Sequence, residues 1–172
     1  MNGLAWSLTG NSGTVDGTNF ICTTDNIPFN FKVNNQKAGR IGIAGETYLG
    51  YQAGNVNTGT DNTFIGYQAG RLNTSGESDV AVGSRAMAAN VSGKDNVAIG
   101  YYAMNANTTG DDNVAIGKLA LSTNTSGQHN VAVGEASMEL NTTGVQNTAL
   151  GRETLNKNTT GRDNTALGYN VF

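Results

Sequence analysis

The side chains able to carry out chemistry are few in this sequence, and their spacing ties them to turns. A Ser-His-Asp or Cys-His centre needs a histidine to move the proton, and the chain has one, His129, beside Gln128. Ser78, Asp95, Asp112, Gln146 and Asp163 stand at the same seventeen-residue interval as His129. His129 therefore reads as one more polar turn residue rather than a base. Asp95, Asp111 and Asp112 raise the question of calcium, but solenoids that bind calcium place aspartate in every glycine-rich turn. Here Lys94, Val145 and Arg162 occupy equivalent places, so no metal site is expected. Asp95 over Asp112 is the nearest approach to the paired carboxylates of a glycoside hydrolase, in a turn whose other members are mostly uncharged. The lone Cys22 allows no internal disulfide. Six Asn-x-Ser/Thr sequons, from Asn73 to Asn158, satisfy the N-glycosylation pattern, but a repeated turn explains the same spacing. No catalytic residue, metal ligand or cofactor follows from these motifs. Tyr51, Tyr67 and Tyr101 remain as receptor-binding candidates: they form an aromatic column that later becomes Lys118, Glu135 and Arg152, and a changing column is an exposed one.

What positions all of these residues is a repeat. Asn-Val-Ala-Ile-Gly occurs at 96–100 and 113–117, with close variants ending at Gly66, Gly83, Gly134, Gly151 and Gly168, each seventeen residues from the last. A weaker copy ends at Gly50, one residue short of that register. Fixed self-similarity of this kind marks a solenoid. The strand of each coil alternates a β-branched residue, a small one and a large aliphatic one, a period of two. Asn96, Ile99 and Gly100 recur as Asn113, Ile116 and Gly117, as Asn130, Val133 and Gly134, and as Asn147, Leu150 and Gly151. The aliphatic column is expected to be buried in a packed layer, with the alanines facing a narrow space. Opposite lies a second apolar anchor, Ala103-Met104 and its equivalents, on either a strand or a single helical turn. Asn-Thr-Thr-Gly and Asn-Thr-Ser-Gly supply turns through asparagine's bonding to its own backbone and glycine's freedom in φ.

The fold expected is all-β: a parallel β-solenoid over 46–172, preceded at 1–45 by a small β cap. In the cap, Phe29–Val33 and Arg40–Ile43 alternate about an Asn34-Asn35 turn, and Trp6, Phe20, Phe29 and Phe31 are expected to form a small core. The cap would hide the unpaired edge of the stack. Stacked coils also place asparagine over asparagine in two columns, which bond along the stack as side-chain ladders do in cross-β assemblies. There are 24 asparagines, against only 34 residues of Val, Ile, Leu and Phe. That apolar share is low for a compact core, so further copies of the chain are expected to cover the strand's second apolar face. A closed homotrimer, side by side or intertwined, is the natural arrangement for a fibre.

The Asn-Val-Ala-Ile-Gly units resemble the trimeric autotransporter adhesin heads, which are parallel β-rolls. The longer unit, in which Asn-Thr-Thr-Gly leads into Asn-Thr-Ala-Leu-Gly, is similar to repeats of bacterial and phage tail-fibre-domain proteins. The segments Ala5 to Gly10, Asn19 to Ile21 and Asp25 to Asn35 resemble the module preceding such repeats. The resemblance implies a trimeric, non-enzymatic shaft or head of an extracellular fibre on a virion tail or bacterial surface. Its implied partners are itself and a host-surface glycan or protein receptor. Two departures stand out: the period of seventeen exceeds the adhesin-head unit, and the self-cleaving chaperone domain with a Ser-Lys dyad is not found before Phe172.

Composition excludes other classes. A net charge of −3 lacks the basic stripe that nucleic acid requires, and no apolar run approaches the roughly 20 residues that cross a bilayer. Met1 to Gly10 carries Asn2, Ser7 and Thr9 and does not read as a secretory leader; the expectation is either a start cut from a longer chain or export by another route. The rival reading from a different class is a monomeric ice-binding solenoid, with Thr108-Thr109, Thr142-Thr143 and Thr159-Thr160 arraying hydroxyls.

Overall fold

A computed structural model of the chain describes residues 25–171. The expected roles of Trp6, Phe20, Cys22 and the segments 5–10 and 19–21 lie outside the described residues. Within them the fold is a parallel β-solenoid of about seven coils with no helix. One ten-stranded sheet runs along it in sequence order.

The sheet opens with a hairpin. Strands β1 (Phe29–Val33) and β2 (Gln36–Ile41) pair antiparallel. Asn34 and Asn35, at φ 48° and 56°, make the turn; two consecutive left-handed residues are what a two-residue hairpin needs, and asparagine tolerates them. β2 then pairs antiparallel with β3 (Thr47–Leu49), so hairpin and solenoid share one sheet. From β3 onward every pairing is parallel: β4 (Thr63–Ile65), β5 (Val80–Val82), β6 (Val97–Ile99), β7 (Val114–Ile116), β8 (Val131–Val133), β9 (Thr148–Leu150) and β10 (Thr165–Leu167). The sixteen-residue first step is absorbed in register, Thr47 pairing with Thr63 and Leu49 with Ile65.

Each coil closes through three left-handed bends; Gly54 and Gly70 carry the second bend in the first two coils, and from the third coil on all three fall on residues other than glycine. In one coil these are Tyr102, Met104 and Asp112, at φ 58°, 48° and 55°; in the next they are Leu119, Leu121 and His129. Such conformations are uncommon for bulky side chains, and the stack holds them in place. The Tyr102 N–H donates backward to Ser84 O (3.1 Å), while the Met104 N–H donates forward to Ala120 O (3.0 Å). The Ala-Met anchor is thus neither strand nor helix but a pair of tight bends. The strand ends at a glycine that no other residue can replace: Gly100 has φ 139°, and a Cβ there would lie 2.5 Å from the Gly117 carbonyl oxygen.

The interior reverses one expectation from the sequence. The middle strand residues Ala81, Ala98, Ala115, Ala132 and Ala149 are buried in the core together with Met87, Met104, Leu121 and Met138. The aliphatic column points outward: Ile99 is 39% exposed and Ile116 38% exposed. The strand alternates as its period of two requires, but the packed layer inside these coils belongs to alanine, because the methionine or leucine of the second bend fills the rest of the narrow interior. Coils one and two fill the same space differently. Tyr48 and Phe64 take the alanine place and stack at 5.2 Å, while Gly54 and Gly70 take the methionine place. A Cβ on Gly70 would lie 2.6 Å from the Phe64 ring.

The rest of the interior is carboxamide. Asn90, Asn107, Asn124 and Asn141 each donate to the Oδ1 of the asparagine one coil earlier (2.8–3.0 Å). Each also donates to the glycine carbonyl three residues ahead. In the second column, Asn113 accepts at Oδ1 from both the backbone N–H and the Nδ2 of Asn130 (3.0 and 3.1 Å), and donates to Gly127 O (2.9 Å). The amides therefore satisfy buried backbone carbonyls that a coil this tight leaves without backbone partners.

Candidate functional site

Two surfaces of the solenoid could engage another molecule: the outward strand face and the flank beyond the strand glycine. On the strand face, each coil contributes its first and third strand residues. From Thr47 and Leu49 through to Thr165 and Leu167 these are Thr, Val, Ile or Leu without exception. No charge interrupts them. Val97, Val114 and Val131 are half-buried by their stacked neighbours, whereas Leu49 and Leu167 are well exposed. Of the repeat residues, Ile99, Ile116, Val133 and Leu150 lie in this strip. Asn96, Asn113, Asn130 and Asn147 lie inside, and Gly100, Gly117, Gly134 and Gly151 form the corner between strip and flank.

On the flank, Tyr51 and Tyr67 stack with centroids 5.9 Å apart and planes 9° apart. Tyr101 does not continue that stack, because Ser84 intervenes in the column; it packs on Tyr102 instead, at 4.5 Å. Arg85 bridges the gap. Its guanidinium lies 6.0 Å from the Tyr67 centroid and 5.5 Å from that of Tyr102, and it donates to the Tyr102 hydroxyl. Such cation–π contacts hold a guanidinium over an aromatic face without neutralising it. Arg85, Tyr102 and Arg71 are not marked out by the tyrosine column of the sequence. The signal was present in the adjacent column, which reads Gln52, Gln68, Arg85, Tyr102 and varies as an exposed column does.

The other candidates stay peripheral. His129 Nε2 lies 3.5 Å from Asp112 Oδ2, both well exposed, one coil above the other. Asp111 Oδ1 accepts from the Lys94 N–H at 2.8 Å, a turn contact. At the hairpin junction, Arg40 pairs with Glu46 at 2.9 Å. Burial works to raise the Glu46 carboxyl, but bonds from its own and the Ala44 backbone N–H and from Arg40 hold it below its usual range. Burial, then Arg40, lowers the Lys37 ammonium, which donates to Gly54 O at 2.6 Å over the Tyr48 ring.

The buried Asp79 stands apart chemically. It replaces asparagine in the inner ladder, accepting at Oδ1 from the Asn96 N–H (3.0 Å) and at Oδ2 from Asn90 Nδ2 (3.0 Å). Burial outweighs these bonds and, with Asp95 and Asp111 nearby, pushes its carboxyl up to about 7. Comparison with family models, curated proteins and solved structures finds no match to this chain.

Proposed function

We propose that this chain is a structural and adhesive segment of an extracellular trimeric fibre, a shaft or head in which three parallel copies pack through the outward strand strip. The observation that carries the reading is the strip itself. It runs the length of the solenoid, is uncharged throughout, and repeats at the same height on every copy, so parallel chains in register meet like against like. An exposed apolar face of that extent marks an association surface, and a sheet face covered by its own copies closes the assembly. The β1–β2 hairpin serves as the cap of the first coil, pairing with the edge that β3 would otherwise present. Multivalent flanks on three chains would raise the avidity of attachment.

The ice-binding alternative has less support. Oγ1 of Thr108, Thr125 and Thr142 donates to the backbone carbonyl one coil ahead, at 2.9–3.0 Å, so these hydroxyls are engaged along the stack. Sedimentation equilibrium at micromolar concentration tests the main reading. A trimer is expected, with Ile99→Lys plus Ile116→Lys converting it to smaller species; a monodisperse, folded wild-type monomer would sink the proposal.

A further inference from the structure

Between the second and fourth coils the flank carries a notch of about 210 Å³. It exists because Ala88 and Ala89 are small where the coils on either side have Arg71 and Asn105, and Leu72. Two guanidinium groups line it, from Arg71 and Arg85, and among the described residues neither makes an ion pair. Among the described residues Arg71 Nε is buried without a hydrogen-bond partner, and Arg85 lies against the Tyr67 and Tyr102 rings and donates to the Tyr102 hydroxyl. Two amides complete the lining. Gln68 uses its Nε2 on Gln52 Oε1 (2.9 Å), and Asn105 uses its Nδ2 on Arg85 O (3.0 Å). Both therefore leave a carbonyl oxygen that accepts nothing within the described residues.

We propose that this notch binds an acidic saccharide, with the anionic substituent on Arg71 and Arg85 and neighbouring hydroxyls on the oxygens of Gln68 and Asn105. Unpaired guanidiniums select a carboxylate or sulfate. The free acceptor oxygens beside them select for hydroxyl donors, which a sugar ring supplies next to its anion and an aspartate or glutamate side chain does not. The half-exposed Tyr67 lies against the Arg85 guanidinium and offers apolar surface beside it. The same flank four coils on provides a contrast. There the equivalent columns carry Glu139 and Glu153, with Lys157 as the one cation, around a second notch of about 450 Å³, a lining of net negative charge that disfavours the same ligand. The inference rests on the adhesive part of the proposed function and not on the number of chains.

Calorimetric titration of the full chain at low ionic strength tests it, with short oligogalacturonate, a chondroitin sulfate oligosaccharide, a neutral maltose oligomer and a glutamate peptide as probes. One or both acidic saccharides are expected to bind, and which of the two does so distinguishes carboxylate from sulfate. Arg85→Gln and Arg71→Gln are each expected to weaken binding about tenfold, the size of one charge-assisted hydrogen bond. Arg85→Lys should recover only part of the loss, and Arg162→Gln, on a distant turn, should change nothing. Equal binding of the glutamate peptide or the maltose oligomer would overturn the assignment, as would no binding at all or an equal loss with Arg162→Gln. Sedimentation of the same variants separates the two proposals: a trimer that fails to bind saccharide refutes the notch alone.

Discussion

At the scale of single residues, Asp79 is the position where a substitution is most informative. The coils before and after it have Asn62 and Asn96 in the same place, each donating through Nδ2 to a glycine carbonyl fourteen residues ahead. Burial disfavours the charged form of Asp79, and a protonated carboxyl, unlike a carboxylate, also carries a donor. Because the folded carboxyl titrates near 7 against an ordinary 3.8, the native state keeps a proton that the unfolded chain releases in between. Stability attributable to Asp79 is therefore fully present below about pH 4, falls as pH rises towards 7, and is flat above that. The loss amounts to a few kcal/mol, at about 1.4 kcal/mol per pH unit. Asp79→Asn should remove it: urea unfolding at pH 4.5 and at pH 8 should show the variant gaining on wild type by a few kcal/mol at the higher pH. Parallel pH profiles would refute the assignment.

At the scale of the element, one strand residue and one bend residue fill the coil interior jointly. The pair is Phe64 with Gly70 in one coil and Ala81 with Met87 in the next. The bends match, with φ 56° at Gly70 and 48° at Met87, so the backbone accepts either solution. Phe64→Ala alone leaves a cavity and should cost about 3–5 kcal/mol. Gly70→Met alone drives its side chain into the Phe64 ring and should also destabilise. The double variant recreates the Ala-Met pair of the later coils. It should recover most of the loss, giving a coupling energy of at least about 2 kcal/mol in a double-mutant cycle of denaturation free energies, within the span found for residues in contact. Additive losses would mean that the two positions do not share one space.

At the scale of the whole molecule, the solenoid is a one-dimensional array whose coils touch only their neighbours. Deleting 101–117 joins Gly100 to Lys118 and keeps every column in register, including both carboxamide ladders. Such a variant should unfold in a single transition with the wild-type circular dichroism per residue and a melting temperature lower by a few degrees, as expected when stability sums over repeats and their interfaces. Deleting 101–108 removes about half a coil. It sets asparagine against residues that neither donate nor accept, and should abolish the cooperative transition. A half-coil deletion that melts like wild type would contradict the ladder account.

Much of this was legible in the sequence because it depends on spacing alone. A period of seventeen, glycine at the corner and asparagine at fixed columns are enough to imply flat stacking, since stacking is the only arrangement that lets Asn107 meet Asn90 and Asn124. The Asn34-Asn35 turn was legible for a similar local reason. The direction of the strand's two faces was not, because a period of two is symmetric between inside and outside. That choice is made by Tyr102, Met104 and Asp112, whose left-handed bends narrow the coil until only alanine fits opposite methionine and Ile99 is turned outward. The notch at Ala88 was likewise invisible, since it arises from residues on three successive coils and from which of their polar atoms remain unpaired. Repetition along the chain fixed what lies above what; the closure of each coil in space decided which side chains face the interior and which face outward.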